Sequence, residues 1–187
     1  MQAITDTKHL TVQTLPPILV LTGEDVGQFE WLKKDILNKI GYDPSDLNYS
    51  YFDMKEASYD EVELDLVSLP FFADEKIVIL DHLLDLTTAK KRNLTDEDLK
   101  QFENYLENPS ESTRLVIFAE GKLDSKRRLV KLLKRDAQII EATTPKEQEV
   151  KRYFASQAQE LGLQFEGDSL DQLLLKSGYD FGELQKN

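Results

Sequence analysis

Cysteine is absent from all 187 residues. That excludes a disulfide framework, a thiolate nucleophile and cysteine-ligated zinc, and it fits a reducing compartment. Histidine occurs only at His9 and His82, too few for a metal cluster, so no metal and no cofactor is expected. No apolar run approaches the roughly 20 residues that span a bilayer. The start, from Met1 to His9, has neither the basic nor the apolar region of an export signal. A soluble cytoplasmic protein with no membrane partner is therefore expected. Positive charge is scarce as well: Lys and Arg number 23 against 35 Asp and Glu, a net charge of −12. Such a chain repels nucleic acid as a whole, so any contact with DNA must be local or made through a complex. No serine nucleophile elbow and no catalytic constellation is found.

What is present is enough for a core, with 40% hydrophobic and 31% charged residues. The run Ile18-Leu19-Val20-Leu21, ending in Thr22-Gly23, predicts a strand buried on both faces. Val26, Phe29, Leu32, Ile36, Leu37 and Ile40 recur at steps of three and four, and Gly41 follows, so a helix is expected over 26–40. A second strand is expected at 48–52, and Ser58 with Glu61 forms a capping box for a helix over 59–67. A third strand falls at 77–80, a helix opened by Thr95 follows, and further strands fall at 115–118 and 138–141. Strand and helix alternate five times, which predicts an α/β three-layer domain with a mainly parallel five-stranded sheet.

Residues 1–17 read as an irregular lead-in. From Thr144-Pro145-Lys146-Glu147 onward the pattern is all helical, at about 145–161, about 169–176 and from Asp180. The expected division is an α/β domain at 1–143 and the start of a small helical domain at 144–187, with the chain cut inside that bundle.

The first strand runs into Gly23-Glu24-Asp25-Val26-Gly27, where a phosphate loop would lie. Such a loop needs backbone N–H groups to cradle phosphate, a Lys to reach the terminal oxygens and a Ser or Thr for magnesium. Here the glycines are too closely spaced, Lys and Ser/Thr are missing, and two carboxylates stand where phosphate would. Gly23 and Gly27 thus mark a degenerate nucleotide loop. Ile77-Val78-Ile79-Leu80-Asp81 resembles a Walker B strand, with His82 in place of the catalytic glutamate. A second local feature is basic. Between Lys122 and Arg135 stand seven bases against Asp124 alone, on a helix expected to be capped by Asp124 or Ser125. Either it is a solvated face, or Lys126, Arg127 and Arg128 contact DNA phosphates or an acidic subunit.

A third feature is Ser68-Leu69-Pro70-Phe71-Phe72-Ala73-Asp74-Glu75, an apolar knuckle where a polar loop belongs. Either it tucks into the core or it docks on another surface. Pro70 and the charged turn at 74–76 place it at a loop tip.

Taken together, Pro17 to Asp25 with its degenerate loop, Ser68 to Phe72 followed by Lys76 to Leu80, and Arg114 to Phe118 resemble the delta subunit of the bacterial DNA polymerase III clamp loader. Gly121-Lys122-Leu123-Asp124 with the basic helix, and the tail from Leu170 to Leu184, extend the resemblance over nearly the whole chain. It implies an AAA+-like first domain without working Walker motifs, a helical lid, and a collar domain that this chain lacks. It also implies partners: the sliding beta clamp, other clamp-loader subunits, and DNA mainly through the assembled complex. Leu69, Pro70, Phe71 and Phe72 match the element that inserts into a pocket on the clamp, with Pro-Phe-Phe where other members carry Leu-Phe. The implied role is a non-catalytic subunit of the polymerase holoenzyme in DNA replication, opening the clamp without hydrolysing ATP. The rival readings from the residues are a divergent nucleotide-dependent enzyme of the P-loop type and an acidic protein-binding adaptor.

Overall fold

A computed structural model describes residues 2–71, 73–163 and 168–186. Five strands, β1 (Ile18–Gly23), β2 (Tyr49–Asp53), β3 (Lys76–Asp81), β4 (Thr113–Glu120) and β5 (Gln138–Ala142), form one sheet. Every neighbouring pair is parallel and the order is β2-β3-β4-β1-β5. Both β1 and β3 are buried at each position, which is why they are written as continuous apolar runs rather than as alternations.

The period of two along each strand divides the core. Ile18, Val20, Val78, Leu80, Leu115 and Ile117 face one side, covered by α3 (Tyr59–Val67), α4 (Asp96–Glu107) and α5 (Arg128–Asp136). Leu19, Leu21, Ile77, Ile79, Val116 and Phe118 face the other, covered by α1 (Gln2–Thr7) and α2 (Val26–Lys39). The α/β three-layer domain expected from the pattern is present.

Local chemistry sets the ends of these helices. The Asp25 carboxylate caps α2 by accepting from the Gln28 N–H at 2.9 Å, and Gly41 leaves the helix at φ +68°. Reciprocal capping boxes at Ser58/Glu61 and Thr95/Asp98 open α3 and α4.

Three expectations shift. The lead-in contains α1, too short to show a period; Ala3 and Thr7 are buried in it, and the Lys39 ammonium donates to the Thr7 carbonyl at 2.9 Å. The basic helix begins at Arg128, because Asp124 turns the chain by accepting from the Lys126 N–H at 3.1 Å. Lys126 and Arg127 therefore precede the helix. The next helix, α6 (Glu147–Glu160), starts two residues later than Pro145, where the Glu149 carboxylate accepts from the Lys146 N–H at 2.9 Å. With α7 (Ser169–Lys176) and α8 (Phe181–Lys186), it closes a small cluster around Val150, Leu174 and Leu184. The start expected at Asp180 holds, since its carboxylate accepts from the Glu183 N–H at 2.8 Å.

Candidate protein-docking site

The end of β1 and the N-terminus of α2 bring Gly23 and Gly27 to the C-terminal edge of the sheet, where a phosphate would be held in a nucleotide-binding relative of this topology. The space is filled from within the chain. Gly23 sits at φ +132°, exchanges backbone hydrogen bonds with Gly121 at 2.9 and 2.8 Å, and would place a Cβ 2.1 Å from the Ala142 carbonyl oxygen. The Asp25 N–H donates to the Ala142 carbonyl at 3.3 Å, while the Asp25 carboxylate caps α2. A Cβ on Gly27 would lie 2.8 Å from the backbone of Gly182 in α8. The Gly23, Asp25 and Gln28 N–H groups are engaged, an internal anion holds the helix terminus, and another helix presses on it.

The Walker-B-like aspartate is equally committed. Asp81 is 3% exposed and accepts hydrogen bonds from the Lys33 ammonium and the Tyr51 hydroxyl, and from the His82 N–H at 2.8 Å. Burial, with the Asp81 hydrogen bond added, raises the Tyr51 phenol well above its ordinary value, so it stays a donor. His82, in a left-handed conformation at φ +56°, turns its ring toward Asp53, with Nδ1 2.9 Å from Oδ1. An ammonium thus stands against the carboxylate that would face a divalent cation. These residues do not fit a bound nucleotide.

The opposite edge of the sheet carries the knuckle, between α3 and β3. Its two roots are fixed. Lys76 is 5% exposed, and its ammonium donates to the Ser68 hydroxyl at 2.6 Å, to the Asp65 carboxylate at 3.3 Å and to the Asp65 carbonyl. Glu75 is held by a bidentate Arg114 fork at 2.6 and 2.9 Å, and those hydrogen bonds keep its carboxyl below the usual range. Replacing Lys76 by Met should take this donor from the Ser68 hydroxyl and the Asp65 carboxylate, while the Ser68 hydroxyl still donates to the Asp65 carbonyl at 3.1 Å. We expect a loss of about 1–3 kcal/mol, read from the denaturant midpoint.

Between these roots the chain presents apolar side chains to solvent. Leu69 is 76% exposed and Phe71 82%, with Pro70 half-buried beside them. Phe72 lies outside the described residues. Two further residues join the patch that the sequence reading missed. Tyr59, Val62 and Leu66 bury one face of α3, whereas Leu64 and Val67, three apart, share the outer face at 71% and 59% exposure. Their signal was available: a second apolar stripe, out of phase with the first. Among the described residues, four of the ten exposed large hydrophobics fall within 64–71. Four exposed apolar side chains within eight residues are a concentration that scattered surface leucines do not give, and they make this stretch the candidate contact surface.

The basic segment is partly used inside the chain. The Arg127 guanidinium reaches the Asp85 carbonyl at 2.7 Å and Asp124 at 3.2 Å. Arg128 pairs with Glu107 at 2.6 Å and Glu103 at 3.4 Å. Of the three residues singled out, Lys126 is exposed and forms no ion pair among the described residues.

The family model described as "DNA polymerase III, delta subunit" matches residues 19–143. A curated relative, DNA polymerase III subunit delta of Bacillus subtilis (strain 168), is 28% identical over 141 residues, 72% of this chain. The aligned region makes up 40% of that relative's length. Among solved structures, the Bacillus subtilis DNA clamp loader delta protein superposes with a TM-score of 0.72 at 24% identity, covering 99% of this chain and 56% of the other. That likeness concerns the fold, and it runs through the helices after β5 as well as the sheet. The family model covers most of the sheet and its flanking helices, and the chain belongs to the DNA polymerase III delta subunit family.

Proposed function

We propose that this chain is the clamp-gripping subunit of a sliding-clamp loader, acting in the cytoplasm in DNA replication alongside other loader subunits. Leu69, Pro70, Phe71 and Phe72 form the anchor, with Leu64 and Val67 extending it along α3. The observation that carries the reading is the exposed apolar patch at 64–71, held at both ends by Lys76 and by Arg114–Glu75. Tying the two roots lowers the conformational freedom that docking would cost, so burial of the side chains between them converts more efficiently into affinity. Opening the ring then requires only that the open or strained clamp bind the patch better than the closed one. Residues 1–143 serve as the AAA+-like body and residues 144–187 as the start of the lid. The role is non-catalytic, with ATP hydrolysis left to partner subunits.

The filled loop supports that division of labour, and it makes a prediction. Millimolar Mg·ATP should leave the melting temperature unchanged, whereas a site saturated a hundredfold would add about 2.7 kcal/mol of stability. A clear upward shift would favour the nucleotide-dependent enzyme. Clamp capture is tested by pull-down with the cognate clamp against an unrelated ring protein; equal recovery of both would favour a general adaptor.

A further inference from the structure

The knuckle stands at the N-terminal edge of the sheet, and the apolar surface of that edge extends beyond α3 and the loop. Val12, in the segment between α1 and β1, and Leu47, in the loop that enters β2, are also exposed. Among the described residues, six of the ten exposed large hydrophobics therefore gather here: Val12, Leu47, Leu64, Val67, Leu69 and Phe71.

Beside the base of the knuckle lies a hollow of about 190 Å³. Ala73 and Glu75 line it from the knuckle, Asp46 and Asn48 from the loop before β2, and Val12 from the lead-in. Ile77 and Arg114 complete it from the starts of β3 and β4. The charged groups of this lining are already engaged. Glu75 holds the Arg114 guanidinium at 2.6 and 2.9 Å. One Asp46 carboxylate oxygen accepts from the Asn48 N–H and from the Asn48 side-chain amide, both at 2.9 Å. What is left to offer a visitor is apolar: Val12, Ala73 and the buried Ile77. The hollow is also smaller than the roughly 300–1,000 Å³ of pockets that enclose a small organic ligand. It has room for a side chain.

We propose that the hollow takes an apolar side chain projected by the same partner surface that receives the knuckle, so that each protein inserts into the other. The proposal rests on the reading of residues 64–71 as the clamp-gripping patch, and it adds what the clamp must present beside its own pocket. Continuity ties the two features together. Ala73 and Glu75 follow Phe71 directly in the chain, and the Arg114–Glu75 pair that fixes one root of the knuckle is also part of the hollow. Anchors that fill pockets tend to pair with anchors on the partner. A single projection can pivot in its pocket, whereas two opposed insertions side by side set the orientation of the docked ring.

The test uses the full-length protein and its cognate clamp. Val12→Ala with Leu47→Ala, which strips the exposed rim, should weaken binding about tenfold by titration calorimetry. Ala73→Phe, which fills the hollow, should do the same. Phe71→Ala with Phe72→Ala is titrated beside them. In a second measurement, Leu47→Cys should be alkylated by iodoacetamide in the free protein and protected by the clamp. Val26→Cys, at the opposite edge of the sheet, should be alkylated in both. Weakening by the phenylalanine pair alone, with Leu47→Cys alkylated equally with and without clamp, would overturn the hollow and leave the knuckle standing. Weakening by the hollow variants alone would sink the knuckle as anchor and keep the hollow as a contact. Protection of Leu47→Cys in the free protein would assign the hollow to another part of its own chain and overturn the proposal.

Discussion

Changing Phe71 and Phe72 together to Ala should lower affinity for the cognate clamp by about 10²–10⁴-fold. Removing two phenylalanine side chains from water is worth roughly 3–6 kcal/mol, and each 1.4 kcal/mol is about tenfold in affinity. Phe71 is 82% exposed, so little of that energy is used in the free chain. The melting curve of the double variant is recorded beside the original, so that the loss of affinity is read from folded protein. Affinity in such interfaces concentrates in a few buried anchors ringed by weaker contacts. Leu64→Ala with Val67→Ala should accordingly cost less, about tenfold. Titration calorimetry separates the cases. If the α3 pair costs more than the phenylalanine pair, the anchor sits on the helix rather than at the tip.

The second large effect is expected at Gly27 and Gly182, where α2 and α8 meet backbone to backbone. A Cβ on Gly27 would come within 2.8 Å of the Gly182 Cα and nitrogen, and one on Gly182 within 3.0 Å of the Gly27 Cα. Backbone cannot give way as a flexible side chain can, so Gly27→Val or Gly182→Val must push the helices apart. Phe181, 1% exposed and edge-on to Trp31 at 5.7 Å, would then be uncovered. Each substitution should cost about 1–3 kcal/mol, the range for overpacking a closed contact. Because both break one contact, the double variant should cost hardly more than the worse single one. Trp31 is the single tryptophan of the chain, so its emission reports the separation directly by shifting to the red. Additive costs with unshifted emission would show that the two glycines do not share a contact.

This contact also bears on what could be learned from the residues alone. The sheet and its helices were legible because burial on both faces writes continuous apolar runs, and because Ser58/Glu61 and Thr95/Asp98 are local signals needing no tertiary context. The missing Lys and Ser/Thr after Gly23 were equally plain. What could not be read is what takes the place of phosphate, since Ala142 and Gly182 are more than 100 residues away in sequence and approach only in the fold. The same holds for Lys33 against Asp81, and for Arg127, whose carbonyl partner at Asp85 removes it from the exposed charges. The helix α1 was missed because six residues hold fewer than two turns, too few for a period to show. The start of α5 was misplaced because Asp124 and Ser125 have helix-capping side chains, whereas Asp124 caps a turn ahead of the helix, accepting from the Lys126 N–H while its own N–H donates to the Leu86 carbonyl.

The exposed patch and the filled nucleotide loop point the same way, toward a subunit that grips without turning over ATP. The clearest single test is titration of the cognate sliding clamp into this chain by calorimetry, without nucleotide and again with Mg·ATP. We predict binding in both, at the same affinity, with the negative heat-capacity change that accompanies burial of apolar surface. No binding without nucleotide, or affinity that appears only when Mg·ATP is added, would contradict the account.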